Sequence, residues 1–182
     1  MQPAVFLDRD GVIIENRPAY VRRWADVAIY PGALAALARL SATAYKIVVV
    51  TNQSAVGRGL VRLAAAEAIN RRLTEQVRRA GGRLDGVYMC PHAPAAGCDC
   101  RKPRPGLLRQ AAADLDLEMG RSLLVGDALT DLAAGRAAGV GRLALVRTGR
   151  GADQLAQAAA GLADFEVYDT LAAALQELAC PT

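Results

Sequence analysis

Short apolar runs alternate along the chain with longer segments whose apolar residues lie three and four positions apart. The runs predict β-strands at 4–8, 46–52, 84–90, 122–127 and 142–149, with a further short strand at 165–168. The periodic segments predict helices at 32–43, 61–82, 105–117, 128–139, 152–163 and 170–179. Apolar strands that alternate with helices are typical of a parallel sheet covered on both faces. The pattern therefore predicts an α/β fold with a doubly wound, Rossmann-like parallel sheet, in one domain spanning residues 1–182.

The composition is that of a globular protein with a modest basic excess. Of the 182 residues, 53% are hydrophobic and 22% are charged. This composition excludes a disordered chain and is typical of a globular protein with a single hydrophobic core. The net charge of +4 comes from scattered arginines, so it fits a small anionic substrate as well as weak nucleic-acid contact. Because only 4% of the residues are aromatic, the chain offers no stacking platform for bases, and we expect no nucleic-acid partner.

The sequence gives no sign of a membrane segment or a secretory leader. No apolar run approaches the roughly 20 residues that a membrane helix needs. The N-terminal stretch "MQPAVFLDRDG" has no basic region followed by an apolar one. We therefore expect a monomeric cytoplasmic protein with no membrane partner, in a compartment where thiols stay reduced.

Polar side chains follow the predicted strands at the ends where doubly wound folds bind ligands. Asp8 and Asp10 end the first strand, and Asp127 ends the fourth, with Asp131 one helical turn later. Two carboxylates two positions apart on an extended chain project to one side and repel unless a cation relieves them. Oxygen ligands of this kind suit Mg²⁺. A polar strand end followed by a turn, or helix capping by the acids, is the alternative interpretation.

The loop at residues 90–100 has the composition of a zinc site. One imidazole and three thiols fall within its eleven residues, in the pattern C-x-H-x5-C-x-C. The four candidate ligands are Cys90, His92, Cys98 and Cys100. This donor set suits a closed structural Zn²⁺ site, with free thiols as the alternative, and the absence of C-x-x-C disfavours a redox role. Zinc here would also fix the backbone that presents Arg101 and Lys102.

Four motifs in order resemble the haloacid dehalogenase superfamily of phosphotransferases. They are "DRDG" after the first strand, "TN" after the second, a lysine before a helix, and "GD…D" after the fourth strand. The resemblance implies that Asp8 attacks phosphorus to form an aspartyl-phosphate and that Asp10 acts as general acid and then general base. It also implies Mg²⁺ held by the Asp8 carboxylate, the Asp10 backbone carbonyl and Asp127. Thr51 and Lys102 can then contact the phosphate oxygens.

A longer set of motifs narrows the resemblance. "CPH…CDCRKPRPG", "TNQSAVGRG" and "VRTG" are similar to the zinc-loop phosphatases that remove the C7 phosphate of D-glycero-D-manno-heptose 1,7-bisphosphate. That family serves lipopolysaccharide-core and nucleotide-heptose synthesis. Histidinol-phosphate phosphatases share the zinc loop and remain an alternative, although Ser54 after "TNQ" favours the heptose group. A non-catalytic phospho-binding module is the alternative from another class, because it would keep the acidic cluster without needing Asp10.

The resemblance also implies where a phosphorylated sugar binds. The segment between the first strand and the first helix is too short for a large cap domain and resembles the family's flap. The predicted substrate and phosphate residues are Thr51, Asn52, Gln53, Ser54, Arg101, Lys102, Arg17 and Tyr20. A bisphosphate has a second, remote anion, for which the arginines predicted near the mouth are Arg17, Arg22, Arg23, Arg58, Arg101 and Arg104. Ala128 departs from the family, since some relatives have a lysine there.

Overall fold

The computed structural model describes residues 1–157 and 164–179, which include a six-stranded sheet. The strands are β1 (Ala4–Leu7), β2 (Lys46–Asn52), β3 (Gly86–Cys90), β4 (Leu123–Gly126), β5 (Arg142–Val146) and β6 (Glu166–Tyr168). They lie in the order β3-β2-β1-β4-β5-β6, and every neighbouring pair is parallel. The predicted doubly wound α/β fold is confirmed, and each predicted strand has its counterpart.

Helices cover both faces of the sheet. They are α1 (Ala33–Leu40), α2 (Ser54–Gly57), α3 (Leu63–Arg79), α4 (Gly106–Leu115), α5 (Leu129–Ala137), α6 (Gly151–Gln157) and α7 (Leu171–Leu178). Short 3-10 helices lie at Trp24–Asp26, Pro94–Ala96 and Met119–Arg121. The helix predicted at 152–163 begins as α6, and its remainder lies outside the described residues. The sequence pattern missed α2, because four residues are too few to show a helical period.

The two faces of β1 build two apolar layers. Val5 and Leu7 belong to the layer that α1, α3 and α7 cover, whereas Ala4 and Phe6 belong to the layer under α4 and α5. All four side chains are completely buried. Because successive strand residues point to opposite faces, an unbroken apolar run is what a strand covered on both sides requires.

The switch in strand order places β1 beside β4 at the centre of the sheet. Successive connections run in opposite directions from this pair, so a crevice opens beyond the carboxyl ends of the two strands. The backbone N–H of Asp8 donates to the carbonyl of Val125 across the pair, at 3.0 Å. Asp8 and Asp127, which directly follow β1 and β4, therefore meet in the crevice.

Residues 8–32 form a short flap between β1 and α1. Ile14 forms isolated β-bridges with Asp10 and with Ile29. The guanidinium of Arg72 on α3 lies 4.8 Å from the centre of the Trp24 ring. No large cap domain interrupts the described part of the chain, as predicted. Within that part, no helix has the length and apolarity needed to cross a lipid bilayer.

Candidate active site

Asp8 lies in a buried ion-pair network at the end of β1. The ammonium of Lys102 donates to Asp8 Oδ1 at 2.9 Å and lies 2.8 Å from Asp131 Oδ1. It also donates to the Val50 carbonyl at 2.7 Å. Burial by itself lowers the pKa of Lys102, but the Asp131 and Asp8 carboxylates outweigh it and raise the pKa. Lys102 is therefore a fixed positive charge beside Asp8.

Asp131 holds Lys102 from the opposite side. Its Oδ1 pairs with the ammonium, and its Oδ2 accepts from the Ala128 backbone N–H at 3.1 Å, at the start of α5. Burial raises the pKa of Asp131 to about 6, against the lowering effect of Lys102. Since both carboxylate oxygens have partners, Asp131 positions the lysine.

Asp10 is held by two side chains. Gln53 Nε2 donates to Asp10 Oδ2 at 2.7 Å and to Thr51 Oγ1 at 2.9 Å. The guanidinium of Arg9 pairs with the same carboxylate at 2.9 Å and donates to Asn70 Oδ1 on α3 at 2.7 Å. Burial raises the pKa of Asp10, against the lowering effect of Arg9. A carboxyl group with a raised pKa and fixed orientation suits proton transfer in both directions.

Asp127 is completely buried and is enclosed by the loop after β5. Its Oδ2 accepts from Asn16 Nδ2 at 2.7 Å and from the Arg150 backbone N–H at 2.9 Å, while Arg150 Nη2 donates to Oδ1 at 3.1 Å. Burial raises the pKa of Asp127, and the neighbouring Asp8 adds to the effect. Gly11 has a φ of 90°, and a Cβ there would clash with the Asp127 carboxylate.

The acidic residues fit a hard divalent cation. One carboxylate oxygen from each of Asp8, Asp127 and Asp131 lies within 4.8 Å of the others. Burial raises the pKa of Asp127 and of Asp131, and the neighbouring Asp8 carboxylate adds to the rise in both, so a bound cation would relieve repulsion among the three groups. Oxygen donors at this spacing suit Mg²⁺.

The four residues of the zinc loop come together at the end of β3. The sulfur of Cys100 lies 3.2 Å from His92 Nδ1 and 3.4 Å from the sulfur of Cys98. Cys90 Sγ lies 3.6 Å from both Cys98 Sγ and His92 Nδ1. A tetrahedron of thiolates around Zn²⁺ has edges of roughly 3.8 Å, and mixed nitrogen–sulfur edges are shorter. The four donors therefore fit a closed zinc site, and the three cysteines form no disulfide.

The zinc loop is joined to the lysine by backbone contacts. Asn52 at the end of β2 donates its side-chain amide to the Lys102 carbonyl and accepts from the Lys102 N–H, both at 3.1 Å. The Gly106 N–H donates to the carbonyl of Asp99 at 3.1 Å, and Arg104 donates to the carbonyl of Cys98 at 3.0 Å. The backbone around Lys102 is thus fixed between β2 and the cysteine cluster.

A cleft of about 520 Å³ is lined by Asp8, Asp10, Lys102 and Asp131. Most of the residues predicted to bind phosphate or substrate line it, namely Asn52, Gln53, Ser54, Arg101, Lys102, Arg17 and Tyr20. Thr51 does not line the cleft, because its side chain is buried beneath Gln53. Arg101 Nη1 is buried and has no hydrogen-bond partner within the described residues, which suits an anion in the cleft.

Only two of the arginines expected near the mouth line the cleft itself, Arg17 and Arg101. The other four do not line the cleft: Arg22, Arg23, Arg58 and Arg104. Arg22 Nε instead donates to the Ala19 carbonyl at 2.8 Å, Arg23 Nε pairs with Asp26 at 3.4 Å, and Arg104 donates to a carbonyl of the zinc loop. These groups were assigned to the mouth by their nearness in sequence to other motifs, which does not set the direction of a long side chain.

The sequence pattern did not indicate several residues of the site. They are Arg9, Asn16, Asn70, Thr130 and Arg150. Arg9 is one of the largest fully buried side chains in the described part, and an arginine between two motif aspartates was the available signal. Asn16, Asn70 and Arg150 stand in segments whose pattern resembles ordinary turns or helix surface, so only the folded contacts identify them.

Comparison with known sequences and structures supports the assignment of the fold and the class of chemistry. Residues 99–174 match the HAD-hydrolase-like family model. The chain is 39% identical over 175 residues to the D-glycero-beta-D-manno-heptose-1,7-bisphosphate 7-phosphatase of Bordetella bronchiseptica, covering 96% of each protein. It is also 39% identical to the enzyme of that name from Pseudomonas putida, covering 96% of this chain and 98% of the relative.

Solved structures agree with these relatives. The D,D-heptose 1,7-bisphosphate phosphatase of B. bronchiseptica, crystallised with magnesium and phosphate, superposes with a TM-score of 0.91 over 97% of both chains. The corresponding phosphatase of Burkholderia thailandensis gives a TM-score of 0.74 at 33% identity over 97% of both chains. The chain therefore belongs to the haloacid-dehalogenase-like family of D-glycero-beta-D-manno-heptose-1,7-bisphosphate 7-phosphatases and is a phosphoric monoester hydrolase.

Proposed function

We propose that the protein hydrolyses the C7 phosphate of D-glycero-D-manno-heptose 1,7-bisphosphate and leaves the 1-phosphate, as a step in nucleotide-heptose and lipopolysaccharide-core synthesis. The observation that carries the proposal is the pairing of buried Asp8 with Lys102, beside Asp10, in a cleft that also holds the unpartnered Arg101 Nη1. The 39% identity to a heptose-bisphosphate phosphatase along nearly the whole chain supports the substrate.

In the first step, the Asp8 carboxylate attacks phosphorus. A bond forms between an Asp8 oxygen and phosphorus, and the bond from phosphorus to the C7 oxygen breaks. Asp10, protonated at this stage, donates its proton to the departing C7 oxygen. The raised pKa of Asp10 supports this role, because burial favours the protonated form that the step needs.

In the second step, water removes the phosphoryl group from Asp8. The Asp10 carboxylate takes a proton from the water, whose oxygen attacks phosphorus. The bond between Asp8 and phosphorus breaks, which releases inorganic phosphate and restores the Asp8 carboxylate and the protonated Asp10. Gln53 and Arg9 keep Asp10 in one orientation for both proton transfers.

Cationic groups balance the charge of the phosphate. Mg²⁺, held by the Asp8 carboxylate, the Asp10 backbone carbonyl and Asp127, would neutralise charge on the transferring phosphoryl group. Lys102 lies next to Asp8 and supplies a fixed positive charge at the same place. Arg101 Nη1, which is buried and unpartnered among the described groups, is placed to bind a phosphate oxygen. Ser54 and the flap residues Arg17 and Tyr20 also line the cleft.

Zinc has a structural role in this proposal. The four donors of the loop would fill all four positions of a tetrahedral zinc site, so no position would stay open for a catalytic water. Bound Zn²⁺ would order a loop whose members Ala95, Ala96 and Gly97 are exposed and contribute little apolar packing. The ordered loop presents Arg101 and Lys102 to the cleft.

The proposal is tested by phosphate release with Mg²⁺ from four compounds. These are the two anomers of the heptose 1,7-bisphosphate, histidinol phosphate and fructose 1,6-bisphosphate. We expect the highest kcat/KM for one heptose anomer. A higher kcat/KM for histidinol phosphate would refute the substrate assignment, and phosphate release that survives unchanged in Asp10→Asn would refute the mechanism.

A further inference from the structure

The side chain of Arg150 makes an ion pair that the proposed chemistry does not use. Its Nη2 lies 3.1 Å from Asp127 Oδ1, and its Nε lies 3.4 Å from Asp127 Oδ2. The two partners differ sharply in exposure, because the Asp127 side chain is 0% exposed whereas that of Arg150 is 57% exposed. The arginine therefore closes the buried carboxylate from the cleft side while remaining free to move into solvent.

The two oxygens of Asp127 have different surroundings. Oδ2 accepts from two groups fixed by the fold, Asn16 Nδ2 at 2.7 Å and the Arg150 backbone N–H at 2.9 Å, besides the longer contact of 3.4 Å from Arg150 Nε. Oδ1 accepts from the Arg150 guanidinium at 3.1 Å and from no other donor in the described residues. Oδ1 is therefore the oxygen that a cation can reach, and the guanidinium is the group that occupies it.

A divalent cation and the guanidinium thus require the same oxygen. The cation needs Asp8 and Asp127 together, and these carboxylates belong with Asp131 to one buried acidic cluster, of which Asp8 and Asp131 line the cleft. A guanidinium and a divalent ion cannot both stay against Oδ1 without strong repulsion. We propose that Arg150 guards Asp127 in the metal-free protein, is displaced from Oδ1 by Mg²⁺, and then binds the phosphate of the substrate that is not hydrolysed.

The second half of this proposal rests on the proposed function, since it needs a bisphosphate. Arg150 lines the same cleft as Asp8, and the flap residue Arg17 lines it too. Arg17 already pairs with Glu15 at 3.2 Å and donates to the Asp26 carbonyl at 2.9 Å. The side chain of Arg150 is more than half exposed even while it pairs with Asp127, and a guanidinium matches the geometry of a phosphate.

The first half is tested by titrating Mn²⁺, a hard oxygen-seeking ion, into protein dialysed free of Mg²⁺ and containing no substrate. The variant Arg150→Gln removes the competing group. We expect it to bind Mn²⁺ about tenfold more tightly than the natural protein, since the competing contact is a charge-assisted one.

A matched control separates competition from simple charge. Arg101→Gln removes the same charge from the same cleft but has no contact with Asp127. We expect its Mn²⁺ affinity to change by no more than about twofold, because the carboxylates of the acidic cluster pair with Lys102 and Arg150 and not with Arg101. Equal or weaker Mn²⁺ binding by Arg150→Gln, or an equal gain in Arg101→Gln, would overturn the proposal.

The second half is tested at saturating Mg²⁺ with two substrates, the heptose 1,7-bisphosphate and the heptose 7-phosphate. We expect Arg150→Gln to raise KM for the bisphosphate about tenfold, as for a lost charge-assisted contact, and to leave KM for the 7-phosphate unchanged. Equal changes in the two KM values would overturn the assignment of Arg150 to the remote phosphate. A natural protein that hydrolyses neither compound would refute the proposed function and this half together, whereas the Mn²⁺ titration decides the first half independently.

Discussion

Asp8 Oδ1 accepts a hydrogen bond of 2.9 Å from Lys102 Nζ, although 94 positions separate the two residues along the chain. The pairing depends on three supports. Asp131 pairs with the same ammonium at 2.8 Å, Asn52 holds the Lys102 backbone, and the cysteine cluster ends two residues earlier. A buried lysine between two carboxylates can keep its charge because each partner compensates the cost of its desolvation.

Removal of this ammonium should damage both activity and stability. We expect Lys102→Met to lower kcat by about 10²–10³, as for a lost electrostatic contact in a transition state. We also expect the free energy of unfolding to fall by roughly 3–5 kcal/mol, because Asp8 and Asp131 lose their buried partner. Steady-state kinetics and urea denaturation measure the two effects.

The chain's other lysine provides the control for that prediction. Lys46 pairs with Asp85 at 3.2 Å, in a partly exposed position on the opposite end of β2. Lys46→Met should leave activity unchanged and alter the free energy of unfolding by no more than about 1 kcal/mol. Activity of Lys102→Met within threefold of the natural protein would refute the role given to Lys102.

Replacement of Asp10 should affect phosphoryl transfer to Asp8 less than the later hydrolysis of the phosphorylated protein. The leaving group of p-nitrophenyl phosphate departs without a proton, so Asp10→Asn should still transfer the phosphoryl group to Asp8 but hydrolyse the product slowly. We expect a burst of about one p-nitrophenol per chain, followed by turnover lowered by about 10²–10⁴. Stopped-flow absorbance measures the burst, which should be absent in Asp8→Asn. Turnover of Asp10→Asn at the natural rate would contradict the proposed general base.

Loss of one zinc ligand should lower activity indirectly, through the position of Lys102. Cys98→Ser removes one donor of the cluster, so the loop loses its fixed geometry and Lys102 its backbone support. We expect the content of zinc to fall from about one ion per chain, with a lower Tm and a lower kcat. Elemental analysis and calorimetry test this. Full activity in a zinc-free Cys98→Ser protein would contradict a structural role of the loop.

Asp131 should make the stability of the metal-free protein depend on pH. Burial raises its pKa from 3.8 to about 6, so between these values the folded protein holds a proton that the unfolded chain has released. The contribution of Asp131 to the free energy of unfolding therefore falls as the pH rises through this window. Asp131→Asn removes this titration, so the variant should gain stability relative to the natural protein as the pH rises. Denaturant titrations across the window measure the difference, and a constant difference would refute the assignment.

The sequence predicted those parts of the site whose members are fixed by strand ends or by short spacing. Asp8, Asp10 and Asp127 could be placed together because parallel strands bring their carboxyl ends to one edge. The zinc ligands could be grouped because they share one short loop. In each of these sets, the position of the backbone already decides where the functional atoms lie.

Contacts that depend on side-chain direction could not be predicted. Nothing in the spacing shows that Asn52 holds the Lys102 backbone, that Arg9 reaches Asn70, or that Arg150 covers Asp127. The same reason explains why four of the arginines expected near the mouth do not line the cleft. A long side chain has several rotamers of similar energy, and only packing and charge in the folded protein select one.

The most direct test of the central claim is a rapid chemical quench with heptose 1,7-bisphosphate carrying radiolabelled phosphorus at C7. The account predicts transient labelling of up to about one group per chain, on the peptide that contains Asp8, followed by its release as inorganic phosphate. The same substrate labelled at C1 should leave the protein unlabelled. Label on another residue, label from C1, or phosphate release without any labelled protein would contradict it.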